Sequence, residues 1–213
     1  MNLNRFSNTF YLLLLSTLLT ATVQAASISY YIDQSNALPD GVNYAQVTIS
    51  DSTTNIGDID FLVEIIPSAF SVSPDANFGM QTFSFNYDTT LSISDMNITN
   101  IDPSWSISAN NNAGGGFGKF GFELSGTGST RTDVLSFSIS GITGDTPMSY
   151  ATGSELNPSS GEFFATHIAG FDLTEGVTSA QFAGSSPVPV PAAAWLFASG
   201  LLGLVGYARR RQS

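Results

Sequence analysis

Apolar residues recur at every second position through the middle of this chain. Ile28, Tyr30 and Ile32 do so, then Ala45, Val47 and Ile49, and then Phe61, Val63 and Ile65. Further along come Phe83, Phe85 and Tyr87, then Phe120, Phe122 and Leu124. Leu135, Phe137 and Ile139 interleave with Ser136, Ser138 and Ser140. Successive side chains of a strand point to opposite faces, so each run predicts a strand with one dry and one wet face. Phe163–Phe171 departs from this rule by carrying apolar residues on both faces, and predicts a central strand covered on both sides. Pro39-Asp40-Gly41, Pro74-Asp75-Ala76-Asn77, Asn110–Gly116 and Gly141–Pro147 supply the turns. No long helical period runs between them. Roughly nine or ten short strands at this spacing imply an all-β fold, an antiparallel β-sandwich of jelly-roll or immunoglobulin-like winding.

Both ends of the chain break the pattern. Met1–Ala25 has Arg5 near its start, an apolar core over Phe10–Leu19, and small residues at Val23 and Ala25. That order predicts a secretory signal peptide, cut after Ala25 or one residue on, after Ala26. At the other end Pro187, Pro189 and Pro191 precede the uncharged run Ala192–Tyr207, which Arg209, Arg210 and Arg211 close. As a helix, that run at ~1.5 Å per residue reaches about 24 Å, a little short of a ~30 Å hydrocarbon core. Trp195 and Tyr207 stand near its ends, where amphipathic rings prefer the headgroup level. The arginines hold the C-terminus in the cytoplasm and leave everything before Pro187 outside. The expected organisation is a signal peptide (1–25), an extracytoplasmic domain (26–184), a Pro-rich hinge (185–191), a single transmembrane helix (192–208) and a basic tail (209–213). The hinge is expected to be extended and free of ladder bonds, because its prolines lack the N–H.

Pro189-Val190-Pro191-Ala192-Ala193-Ala194-Trp195-Leu196-Phe197, followed by Gly200–Gly206 and the arginine cluster, resembles the PEP-CTERM sorting signal. The family motif has glutamate between its prolines, where this chain has Val190. The resemblance covers about 27 of 213 residues. It implies an exported substrate of an exosortase-like membrane peptidase in a Gram-negative bacterium that makes exopolysaccharide. The protein would be held in the inner membrane with its N-terminus outside, then released to the cell surface or biofilm matrix. Phe83-Ser84-Phe85-Asn86, Trp105-Ser106-Ile107, Gly116–Phe122 and Phe163–His167 also resemble stretches of outer domains in that family, which names no chemistry.

Charge narrows the partners. The 17 acids all lie between Asp33 and Glu175, opposed there only by Lys119 and Arg131, which gives this region a formal charge of −15. Such a charge argues against binding nucleic acid or anionic lipid. There is no cysteine and one histidine, so zinc sites built from these residues lack supply. A Ser–His–Asp triad would have to use His167, and no Gly-x-Ser-x-Gly elbow is present. His167 shares a strand face with Phe163, Ala165, Ala169 and Phe171, the setting of a hydrogen-bonded structural histidine. Gly114–Phe122 runs into a strand and not a helix, which excludes a phosphate-cradling loop. Its glycines instead suit a bulge or close packing.

Three uses of the polar residues stay open. Asp51, Asn55, Asp58 and Asp60 are close enough in sequence to converge on calcium, although without EF-hand spacing. Trp105, after the turn Asp102-Pro103-Ser104, is the candidate platform for stacking on exopolysaccharide, against the alternative that it caps the core. Paired carboxylates hydrolysing a glycosidic bond are the third. The favoured expectation is a non-enzymatic envelope or matrix protein, with a carbohydrate-binding module as the alternative.

Overall fold

The computed structural model describes residues 26–72, 77–113, 116–153, 161–172 and 176–188. Its strands form two six-stranded sheets in which every pairing is antiparallel. The first runs β12 (Ser186–Pro187), β1 (Ser27–Ile32), β3 (Ala45–Asp51), β4 (Ile59–Ile65), β9 (Val134–Ser140), β6 (Asn97–Thr99). The second runs β2 (Gln34–Ser35), β11 (Ser179–Gly184), β10 (Phe164–Ala169), β5 (Gly79–Phe85), β8 (Lys119–Ser125), β7 (Ser106–Ala113). Each alternating run named above lies wholly or mainly on one of these strands. The named runs leave out β2, β6 and β12, whose two or three residues are too short to alternate, and also β7 and β11; β7 extends to Ala113, into the stretch Asn110–Gly116 expected to be a turn.

Register carries the alternation across the sheets. Val47 stands opposite Val63 and Ile49 opposite Phe61, while Phe61 stands opposite Phe137 and Val63 opposite Leu135. Apolar side chains therefore stack in rows on one face, and the two inner faces close on one core. Rings dominate it. Phe61 and Phe137 stack with centroids 4.6 Å apart, and Phe85 reaches across from the second sheet to within 5.2 Å of Phe61. β10 lies inside its sheet, between β11 and β5, as its two-sided apolar pattern requires. Phe164 and Ile168 enter the main core, while Ala165 packs on the outer face with Ala183 and Phe120, against Phe117.

Asn86 ties this half of the molecule together. Its buried amide donates to the carbonyl oxygens of Thr152, Glu162 and Phe163 at 3.3–3.4 Å, and its oxygen accepts the Gly121 N–H at 3.1 Å. A Cβ at Gly121 would lie 2.7 Å from the Tyr87 ring, so this glycine serves close packing. The bulge falls on the neighbouring strand, where the β7–β8 register shifts between Ala109 and Asn112.

The chain changes sheets twice at one corner. It leaves β1 for β2 at Asp33 and returns from β11 to β12 at Ser185, with Ser186 Oγ donating to Asp33 Oδ2 at 2.6 Å. A Cβ at Gly184 would fall 2.4 Å from the Tyr31 carbonyl oxygen, so glycine alone fits this crossing. The hinge consequently departs from expectation in its first part. Pro187 stands opposite Tyr30, and the Val188 N–H donates to the Ser29 carbonyl at 2.9 Å. Proline is tolerated there because β12 is an edge strand with one side open. The signal peptide (1–25), the motif Pro189, Val190 and Pro191, the expected membrane helix and the tail lie outside the described residues. Among the described residues no helix is long and apolar enough to cross a membrane.

Candidate functional site

On the outer face of the first sheet, Asp60 of β4 stands directly opposite Ser138 of β9. Ser138 Oγ donates to Asp60 Oδ1 at 2.7 Å, and Asn100 Nδ2 donates to Ser138 Oγ at 3.0 Å. Asn100 follows β6 at φ 56°, the left-handed conformation that asparagine tolerates better than most residues. Its amide thus lies over the sheet, and Ser138 is only 5% exposed although it belongs to the wet face. Thr54, Asn55 and Ser136 line the same depression. Beyond Asn100 and Ser136 the surface continues to Asp102, Ser104, Arg131 and Thr132. Ser104 gives both its N–H and its hydroxyl to Asp102 Oδ1, at 2.8 and 2.6 Å, which holds that carboxyl below the usual carboxylate range. The relay Asn100→Ser138→Asp60 aims its donors one way. The Asn100 side-chain oxygen and the second Asp60 oxygen are hydrogen-bond acceptors, groups that a hydroxyl can donate to.

Trp105 borders that surface beside Ser104 but shows it only an edge. The Asp102 carbonyl accepts its backbone N–H at 2.9 Å, and the turn sends the indole into the core at 6% exposure. The indole N–H donates to the Thr130 carbonyl at 3.2 Å. A buried ring offers no face to a sugar, so the core-capping alternative describes it. Trp105→Phe is expected to cost about 1–2 kcal/mol through the orphaned Thr130 carbonyl and the lost area. Urea unfolding would measure that loss.

The four residues considered for calcium divide between two places. Asp51 and Asp58 border a groove with Ile56, Ile142 and Asp145, whereas Asn55 and Asp60 face the depression above. Alternation explains the split. Asp60 lies between inward-facing Ile59 and Phe61, so it points outward, while Asp51 has the inward parity of Val47 and Ile49 at the strand's end. Asp51 Oδ2 accepts the Ala26 N–H at 2.9 Å, and Asp145 Oδ2 accepts the Tyr150 hydroxyl at 2.6 Å. Burial, and then Asp145, drive the Tyr150 hydroxyl far above its ordinary value. Among the described residues no group of three or more acidic, histidine or cysteine side chains converges as metal ligands would.

No family model matches this chain, and comparison with curated proteins and with solved structures returns no match. The site must therefore be read from its own chemistry.

His167 lies on the outer face of β10, opposite Gln181 on one side and Thr82 on the other. Burial, and secondarily the Arg131 charge, hold its imidazole below the ordinary value of 6.5. The folded chain therefore takes up that proton less readily than the unfolded chain. Stability falls as pH drops through 6.5 toward the lowered value, and the loss is complete below it. His167→Gln is expected to flatten this part of the profile, read as urea midpoints between about pH 8 and 5. Equal slopes in the two proteins would assign the acid sensitivity to carboxylates.

Ser138, Ser136 and Asn100 are the site residues that sequence reasoning passes over. The serines look like ordinary wet-face residues of β9. The one available clue is Asn100 itself, two residues before Asp102-Pro103 in a turn.

Proposed function

We propose that this chain is an exported, exosortase-sorted envelope or exopolysaccharide-matrix protein with a structural or interaction role and no catalytic one. The observation that carries the reading is the order of its terminal segments, an apolar leader before the β-domain and a Pro-rich motif, apolar run and arginine cluster after it. The domain's path is consistent with it. β1 and β12 are antiparallel neighbours, so the chain leaves Val188 beside Ser29, at the end of β1 where Ala26 lies. The described chain thus enters and leaves the domain at one end. The nested pairing of β4 with β9 and β5 with β8 favours the jelly-roll winding over the immunoglobulin-like one. The test is the mass of the mature product in cells competent for sorting. Loss of the tail through Arg209–Arg211 is the expected result, and a product that keeps those arginines reduces the segment to a simple anchor.

A second reading, contact with the matrix polysaccharide, is favoured by the Asn100–Ser138–Asp60 relay. Hydroxyls, amides and carboxylates in an open depression suit the alcohol groups of a sugar chain. Retention of the exported protein on purified matrix polysaccharide is expected to fall in Asp60→Ala and in Asn100→Gly, which keeps the left-handed backbone. No retention of the parent protein would end this reading. Hydrolysis by paired acids has less support, since two of the three carboxylates in the groove near Ile56 already accept structural hydrogen bonds.

A further inference from the structure

The backbone nitrogen of Ala26 lies 2.9 Å from Asp51 Oδ2, and the Asp51 N–H returns to the Ala26 carbonyl at 2.9 Å. These reciprocal bonds close the β1–β3 ladder one residue before its first pair, Ser27 with Ser50. In the precursor the Ala26 nitrogen is an amide with a single proton. Hydrolysis of the Ala25–Ala26 peptide bond would make it an ammonium with three, already seated on a carboxylate. We propose that the mature chain begins at Ala26 and that its α-ammonium forms an ion pair with Asp51, so that removal of the leader strengthens the contact that pins β1 to β3. The inference rests on the export reading and deepens it, because it selects one of two bonds that the sequence leaves open.

The alternative bond fares worse. Cutting after Ala26 would delete the carbonyl that accepts the Asp51 N–H and move the new ammonium one residue inward, to Ser27. The surroundings also suit a cation at Ala26. Asp58 and Asp145 border the same groove as Asp51, and among the described residues no basic side chain lines it. Ala26 is itself exposed. A charge-assisted bond of this kind is shorter and stronger than its neutral counterpart.

The experiment uses the full chain with its leader, expressed in an export-competent Gram-negative host. The first readout is the N-terminal sequence of the product, expected to be Ala26-Ser27-Ile28. The second is the acylation rate of the α-amine by an amine-reactive ester at neutral pH, read from the mass of the N-terminal peptide. The amine is expected to react several-fold more slowly in the folded protein than in urea or in the Asp51→Asn variant, while Asp58→Asn behaves as the parent. A product starting at Ser27, or equal rates in folded and denatured parent protein, overturns the inference even if Asp51→Asn fails to fold. Cutting at any other bond overturns this inference alone. A product that keeps residues 1–25 overturns it together with the export reading.

Discussion

Truncating Phe85 to alanine is expected to lower the free energy of unfolding by about 3–5 kcal/mol. Phe85 is fully buried on β5 and meets rings from both sheets, with Phe61 at 5.2 Å, Phe122 at 5.4 Å and Phe137 at 5.7 Å. Tyr150 approaches it edge-on at 6.3 Å. Two terms add. The ring's transfer from water is lost, and a cavity opens between flat, stiff neighbours held on paired strands, which cannot easily collapse to fill it. Ile107→Ala on edge strand β7 is the control, since that side chain is 42% exposed and should change stability by no more than about 0.5 kcal/mol. Urea midpoints with unchanged slope would check both. A loss under about 1 kcal/mol at Phe85 would mean that the aromatic cluster relaxes around the gap.

Gly170→Ala should be comparably damaging for a different reason. Gly170 closes β10 at φ +87°, and a Cβ there would lie 2.2 Å from the Asn77 carbonyl oxygen and 2.6 Å from its carbon. Left-handed backbone costs a non-glycine residue about 1–2 kcal/mol. Displacing main chain to make room adds about 1–3 kcal/mol more, since no flexible side chain can swing aside. The shift would also disturb the Gly170 N–H, which donates to the Thr178 carbonyl at 2.9 Å. Gly41 separates the two costs, because it has φ +82° with nothing within 4 Å of its Cβ position. Gly41→Ala should therefore show the conformational cost alone, about 1–2 kcal/mol. Equal losses at the two positions would refute the clash.

The strands were legible because a half-buried strand must alternate, and this chain alternates with bulky rings against serine and threonine. Their partners were not. That β4 lies between β3 and β9, and β5 between β10 and β8, depends on contacts between residues far apart in sequence, which no local period encodes. The hinge was misread at Pro187 because a missing N–H excludes a residue from an interior strand but not from the open side of an edge. The candidate site was less legible for a related reason. Asp51, Asn55, Asp58 and Asp60 look like a cluster along the chain, yet the alternation that identifies β4 also turns Asp60 away from Asp51. Ser138 looked like one more wet-face serine. It is buried beneath groups from other parts of the chain, among them Asn100, whose left-handed backbone sets its amide on the Ser138 hydroxyl.

The pairing of β12 with β1 has a mechanical consequence. Val188, the last described residue at this end, is bonded to Ser29 in line with β12, so load applied to it along the strand axis acts lengthwise on the β12–β1 pair. A pull on it would therefore slide β12 along β1 and strain the bonds at Ser29 and Tyr31 together, not peel them apart in turn. Behind them Gly184 is wedged against the Tyr31 carbonyl, and behind Gly184 lies the whole β11–β10 ladder. Force entering the domain at Val188 along that axis would be carried in shear across the β12–β1 pair.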